Sequence, residues 1–383
     1  MKILLVGEYS RLHNSLKEGL LELNHHVTIV ATGDGFKNYT VDLPIKQKYQ
    51  KGLHKKIKNG LYRLFKVDLE SLQIKKQIIK LKPKLSDYDT VQFINEAPFG
   101  CTAEIEKDIF SLISSWNANT FLLSCGTDYI SVKYANQNKL RYSILTPYTN
   151  GKDKVSSSAY GLKFLEPNFI ALHNYIYSTI EGVIASDLDY HLPLLGNSKY
   201  LGLIPNPINT EKLKFKNLTI KDSIVIFHGI NTANYYKKGN DIFEAALTII
   251  KEKFLEKVKI VTVRSVPYKT YIEAYNEAHI VLDQVYSYDQ GYNALEAMAK
   301  GKVVFTGAET EWLDYYNVKE DTIAINALPD AEQIAKKLKW LILNPENIIT
   351  ISNNARQFIE THHNFVKCAQ QYLNVWQKNN KES

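Results

Sequence analysis

Two doubly wound α/β units facing a cleft are what this chain of 383 residues predicts, on three features of its sequence. The opening thirty residues or so read as strand, turn, helix and strand. A proline-rich break near residue 205 precedes a second run of the same alternation. Within that second run, Gly291-Tyr-Asn-Ala-Leu-Glu-Ala-Met-Ala-Lys-Gly301 reads as a short glycine-opened helix leading into an apolar strand. A chain this long exceeds one ordinary core and suits two domains.

The elements follow in order. Residues 2–6 are an apolar run that stops at Gly7-Glu8-Tyr9-Ser10. Leu12, Leu16, Leu20 and Leu23 then recur at helical spacing, and residues 27–30 resume strand character. Further buried strands are expected at 90–94, 120–123 and 182–185, with a helix over most of 160–180. The break is Leu203-Ile-Pro-Asn-Pro-Ile-Asn-Thr210, whose two prolines fit neither a helix interior nor a central strand. Strands resume at 223–227, 258–263, 279–282, 303–306 and 322–325, and residues 347–378 are helical in period. The expected units are residues 1–205, 206–350 and a C-terminal helical segment, 351–383, packing back toward the first.

Composition bounds the function. With 45% hydrophobic and 23% charged residues the chain is ordinarily globular. Its net charge of +7 comes almost wholly from lysine, the only arginines being Arg11, Arg63, Arg141, Arg264 and Arg356. Base-reading proteins lean on arginine for guanine edges and phosphates, so nucleic acid is not the expected partner. The scattered Cys101, Cys125 and Cys368 form no CxxC pair and read as buried small hydrophobes. No run of about 18 apolar residues appears and the N-terminal apolar run is too short for a signal peptide, so a cytoplasmic protein is expected. Residues 46–84 carry thirteen Lys or Arg against Asp68 and Glu70, interleaved with Leu53, Ile57, Leu61, Tyr62, Leu64 and Phe65. This segment reads as a solvated helix face or as a contact with an anionic membrane surface.

The helix opened by Gly291 carries the chemistry. Its first-turn N–H groups near Tyr292 and Asn293 lack intrahelical partners, and the dipole favours negative charge there, so a diphosphate fits. One turn on, the Glu296 carboxylate could accept from ribose hydroxyls. The loop Arg264-Ser-Val-Pro-Tyr268 follows a strand end, the edge at which open α/β sheets bind ligands, and Arg264 and Val266 are expected near a nucleobase. Asp283 and Asp289 are candidates for holding sugar hydroxyls. In the first unit Gly7 allows close approach of the first loop to a donor, while Glu8, Tyr9 and His13 are expected to face the cleft.

These residues resemble a family. The runs Val6-Gly-Glu-Tyr-Ser10 with His13, Ile204-Pro-Asn-Pro-Ile208, Lys237-Lys-Gly-Asn-Asp241 and Leu295-Glu-Ala-Met-Ala-Lys-Gly301 look like those of bacterial glycosyltransferases of the GT-B fold, close to family 4. The resemblance runs nearly end to end. It implies two Rossmann-like domains, a nucleotide-sugar donor such as a UDP- or GDP-sugar in the second, a saccharide or lipid-linked saccharide acceptor on the first, and retention at the anomeric carbon. It implies no metal, so Lys238 and helix N-termini would neutralise the leaving diphosphate. Lys238, Glu296 and Asp128, which follows a first-domain strand and would orient the acceptor, form the expected catalytic set.

The chain departs from the family at three places. Tyr288 stands where the family has a glutamate, with Asp283 and Asp289 the nearby carboxylates. Phe227-His-Gly-Ile-Asn231 replaces a Gly-Arg, and Asn231 is assigned to the donor site. Ser124-Cys-Gly-Thr-Asp128 replaces a strand-end histidine. Asp187-Leu-Asp189 imitates the metal-binding triplet of the other major transferase fold and is read as coincidence.

No GxSxG elbow, GxxxxGK[ST] loop or GxGxxG fingerprint occurs, which weighs against hydrolase, P-loop ATPase and dehydrogenase. The alternatives are a nucleotide-sugar epimerase or phosphorylase on the same fold, and a non-catalytic sugar-binding protein.

Overall fold

The computed structural model describes residues 1–33, 39–65, 67–153 and 161–380. Its first half runs β1 (Lys2–Val6), α1 (Leu12–Glu22), β2 (His26–Ala31), β3 (Leu43–Pro44), α2 (Gly52–Phe65), α3 (Leu69–Lys80), α4 (Lys82–Leu85), β4 (Thr90–Phe93), α5 (Ala103–Ser115), β5 (Asn119–Ser124), α6 (Tyr129–Asn136), α7 (Thr146–Thr149), α8 (Pro167–Thr179), β6 (Gly182–Ala185), α9 (Leu188–Leu194) and β7 (Tyr200–Leu203). The second half runs β8 (Ile224–Ile230), α10 (Asn240–Phe254), β9 (Val258–Arg264), α11 (Tyr268–Asn276), β10 (Ile280–Leu282), α12 (Tyr292–Ala299), β11 (Val303–Thr306), α13 (Thr310–Tyr316), β12 (Ile325–Asn326), α14 (Ala331–Leu343), α15 (Pro345–His362) and α16 (Phe365–Lys378).

The strands form two parallel sheets, one of seven strands in the order β3-β2-β1-β4-β5-β6-β7 and one of five in the order β12-β11-β10-β8-β9. β1 is apolar from Ile3 to Val6, all 0% exposed, as burial on both faces favours, while β4 and β5 bury polar residues such as Gln92 and Ser124 that have hydrogen-bond partners. The edge strands β3 and β7 escape the sequence pattern. Pro44 ends β3, where the missing N–H costs no ladder bond, and β7 is only half buried. The helix expected over 160–180 begins at Pro167, whose fixed φ suits a first turn, after a 3₁₀ turn at Leu162–Leu165. Tyr160 lies outside the described residues.

The chain passes between the halves twice, and the two crossings touch. Ile208 N donates to His363 O at 2.7 Å, and Ile208 bridges Asn364 in parallel. His363 Nδ1–H donates to Asn206 O at 2.9 Å. Beyond it α16 returns to the first half and packs on α1. Gly19 makes that approach possible: a Cβ there would lie 2.8 Å from Ala369 Cβ. Trp376, fully buried, donates Nε1–H to Gln92 Oε1 at 3.3 Å. Gln92 Nε2 in turn meets His13 Nε2 at 3.3 Å, and His13 Nδ1 meets Gly7 O at 2.7 Å. His13 is thus a fully buried link between α1 and the sheet, and no cleft contact, because both of its nitrogens are used inside the core.

Burial pushes the pKa of His363 down to about 4. The folded state therefore prefers the neutral ring. Its contribution is complete above the ordinary value of 6.5 and is lost as pH falls from there toward 4. Relative to His363→Asn, wild type should lose up to about 3 kcal/mol of stability between pH 7 and 4 in urea denaturation. A Gly19→Val chain should lose about 1–3 kcal/mol through overpacking against α16.

Candidate functional site

Strand order reverses between β8 and β10 in the second sheet. Loops leaving the carboxyl ends of strands on either side of such a switch diverge and leave a crevice. A cleft of 1130 Å³ opens there, lined by Asn231 after β8, Ser265–Tyr268 after β9, and Asp283, Gln284, Ser287 and Asp289–Gly291 after β10. The first half closes it from the other side with Ser10, Gly126–Thr127, Leu140, Asp187 and Asp189.

Lys238 enters from the turn before α10. Gly239 adopts φ +72°, and a Cβ there would lie 2.6 Å from Val285 Cβ, so glycine lets this turn press onto the loop after β10. Val285 N donates to Lys238 O at 3.0 Å and fixes the register. Lys238 Nζ reaches Asp283 Oδ1 at 3.0 Å, and Asn293 Nδ2 donates to the same oxygen at 3.0 Å. Tyr271 OH donates to Asn293 Oδ1 at 3.0 Å. Helix α12 starts beside this group at Gly291, with no side chain capping its N-terminus. An ammonium and an uncapped helix start on one wall of a cleft suit an anion.

A second group of contacts binds the halves across the cleft. Asp189 Oδ2 accepts from Ser287 Oγ at 2.7 Å, and its Oδ1 accepts from Tyr288 N at 3.1 Å. Asp289 reciprocates, accepting from Leu188 N at the start of α9 at 3.0 Å and from Gln290 N at 2.7 Å. Burial raises the pKa of Asp187, Asp189 and Asp289, the last to about 7. Arg141 joins the halves higher up. Its guanidinium holds Glu309 at 2.7 Å and Glu311 at 2.6 Å, its N–H donates to Tyr288 OH at 2.7 Å, and its charge lies 4.8 Å from the Tyr288 ring centre. Glu311 and then Glu309 push the Arg141 pKa upward. Tyr142 OH donates to Glu309 as well.

The structure divides the sequence candidates. Asn231, Lys238, Val266, Asp283, Asp289, Gly291, Tyr292 and Asn293 all line the cleft. Asp289 does so with both oxygens held by backbone N–H groups, which makes it a latch between halves. Tyr292 sends its hydroxyl to Pro207 O in the hinge. Arg264 turns away to Glu244 and leaves its loop neighbours at the cleft. Glu296, half-buried one turn along α12 and within electrostatic reach of Arg11, is not among the lining residues.

In the first half, Asp128 is the N-cap of α6. Its Oδ1 accepts from Ser131 N at 2.8 Å and its Oδ2 from Ser124 Oγ, and it is 1% exposed, so the start of α6 and the end of β5 claim its two oxygens. Glu8 accepts from Asn14 N at 2.8 Å, and Tyr9 donates to Asn95 Oδ1 at 3.3 Å, binding the first loop to its own domain. Gly7 has φ +89°, and a Cβ there would lie 2.9 Å from Pro98 Cβ, so this glycine serves packing against the loop after β4. Gly7, Glu8, Tyr9, His13 and Asp128 do not line the cleft. Sequence reasoning missed Arg141, Tyr142 and Gln290, and it set aside Asp187 and Asp189. The one available signal was Arg141 itself, an arginine kept in a lysine-rich chain. No group of three or more His, Cys, Asp or Glu among the described residues is arranged to hold a metal.

Residues 236–374 match a family model described as glycosyl transferase-like. No curated protein matches the chain in sequence. Over 99% of both chains, the structure resembles a sucrose-phosphate synthase from Thermosynechococcus elongatus at 14% identity and TM-score 0.63. It resembles HepE of Anabaena, solved with UDP and glucose, at 12% identity and TM-score 0.57 over 99% of this chain and 100% of that one. It also resembles a UDP-GlcNAc 2-epimerase from Neisseria meningitidis bound to UDP-GlcNAc, at 14% identity and TM-score 0.52 over 99% and 100%. The protein has the GT-B fold. Its second half carries the glycosyl transferase-like match.

Loss of Arg141 leaves the buried Glu309 without its guanidinium partner. Arg141→Ala should cost about 1–3 kcal/mol. It should also raise the radius of gyration in solution scattering and speed amide exchange at Leu188 and Tyr288. A Lys133→Ala control should change neither.

Proposed function

We propose that the protein transfers a sugar from a nucleotide-sugar to an acceptor hydroxyl. One observation carries this reading: the Lys238 ammonium and the uncapped start of α12 share one wall of the cleft at the switch point of the second sheet. Residues 206–350 would hold the donor and residues 1–205 the acceptor. The anomeric C–O bond to the diphosphate breaks through an oxocarbenium-like state, and the acceptor oxygen bonds to the same carbon. The acceptor proton leaves with the diphosphate, and sugar and nucleotide change hands with no other reactant. Lys238 and the α12 N–H groups stabilise the charge that grows on the departing diphosphate, without a metal in this reading. Glu296, one turn on, would take ribose hydroxyls. Retention at the anomeric carbon and a lipid-linked saccharide acceptor belong to the same reading and rest on the sequence resemblance.

A place at the inner face of a membrane is part of the proposal. Helix α2 leaves Ile57, Tyr62, Leu64 and Phe65 exposed among Lys55, Lys56, Lys58 and Arg63. Among the described residues no helix is long and apolar enough to span a membrane, so such contact would be peripheral. Vesicles containing phosphatidylglycerol should float the protein at low salt and release it at high salt, and phosphatidylcholine vesicles should not bind. An absence of flotation would remove the membrane part alone.

The likeness to an epimerase favours a second reading, in which UDP-sugar reacts with no acceptor. Rapid turnover of UDP-GlcNAc without acceptor would decide for it.

For transfer, one nucleoside diphosphate at 100 times its Kd should add about 2.7 kcal/mol of stability. Lys238→Ala should weaken that shift and lower kcat by about 10²–10³-fold. A cooperative melt insensitive to UDP, GDP, ADP, CMP and dTDP would defeat the reading.

A further inference from the structure

Two acceptor oxygens on cleft-lining residues remain over once the protein's own hydrogen bonds are assigned. Asp283 gives Oδ1 to Lys238 and Asn293, while Oδ2 is buried without a partner on a side chain 1% exposed. Gln290 donates Nε2–H to Gly307 O at 2.7 Å, which fixes its amide orientation. Its Oε1 is then left buried without a partner in a residue 2% exposed. Both residues lie in the loop between β10 and α12, and both line the cleft. Of the described buried side-chain atoms that lack a partner, these two alone belong to cleft-lining residues. Asp289, in the same loop, shows the contrast, since its oxygens are filled by Leu188 N and Gln290 N.

Folded proteins seldom leave buried acceptors unfilled, and each exception calls for a reason. Here the chemistry of the missing partner is defined. An oxygen acceptor needs an O–H or N–H donor. Diphosphate oxygens cannot supply one near neutral pH, and they have Lys238 and the α12 N–H groups to bind. A sugar offers several hydroxyls within a few ångströms of its anomeric carbon.

We infer that Asp283 Oδ2 and Gln290 Oε1 together read hydroxyls of the donor sugar and set which sugar the protein accepts. The inference rests on the nucleotide-sugar reading above and deepens it. A hexose with both hydroxyls in place fills both acceptors. A deoxy sugar leaves one empty and buried, and sites built to bond a hydroxyl reject such analogues strongly.

The test is calorimetric binding to the full chain of UDP, UDP-glucose and its 2-, 3-, 4- and 6-deoxy forms, with GDP, GDP-mannose and the matching deoxy forms in parallel. For whichever nucleotide binds, two deoxy forms should bind about 10- to 100-fold more weakly than the parent conjugate. Gln290→Met should abolish the penalty for one of them, and Asp283→Asn that for the other. Affinity for the bare nucleotide should stay within about twofold in Gln290→Met. The deoxy series on wild type needs no variant and survives a failure of either to fold. Equal binding of all deoxy forms, or penalties unchanged in both variants, overturns the inference and leaves the donor site standing. Failure of every nucleotide and conjugate to bind overturns the nucleotide-sugar reading itself.

Discussion

Everything in this molecule that spans its two halves depends on the pairing of the two chain crossings. The hinge at Asn206–Ile208 and the return at His363–Asn364 are bonded side by side. A single covalent crossing would leave the halves to rotate freely about it, whereas a bonded pair favours rotation about one axis. Tyr292 adds a third tie by sending its hydroxyl from α12 to Pro207 O, which couples that helix directly to the hinge. With that axis fixed, the opposing faces meet in a reproducible register. Asp189 then finds Ser287 Oγ and the N–H groups of Tyr288 and Asp289, Asp289 finds the start of α9, and Arg141 reaches Glu309 and Glu311.

The interface is polar where a domain core would be apolar. Buried carboxylates held by N–H groups of the opposite half give geometric specificity, because each oxygen has a defined partner, yet they contribute little net free energy once desolvation is counted. Such a surface can part and re-form at modest cost. On the transfer reading proposed above, that suits a cleft which admits a nucleotide-sugar.

Local signals were legible in the sequence, and long-range ones were not. Mostly apolar runs marked the central strands, since burial on both faces favours them. Pro205 and Pro207 marked the hinge. The glycine-opened helix at 292–299 and the Lys238-Gly239 turn were readable because each depends on a few adjacent residues. Asp128 misled because a cap and an acceptor-orienting carboxylate look alike until Ser131 and Ser124 are seen to bond it. His13 misled for a related reason: its partners are Gly7, just past β1, and Gln92, within β4. Arg141 and Glu309 are 168 positions apart, and no spacing rule connects them. The coincidence reading of Asp187-Leu-Asp189 overlooked that its second carboxylate bonds across the cleft.

Helix α16 carries one more consequence, in the order of synthesis. The first half of the chain leaves the ribosome first, yet its core lacks a wall until Trp376 and Ala369 arrive against Gln92 and Gly19. The second half, by contrast, has its whole sheet in hand by β12. The domain made first is therefore completed last. Until residue 376 has emerged, the nascent chain shows an uncovered apolar face on α1, the kind of surface that chaperones bind and that misassociates in crowded solution.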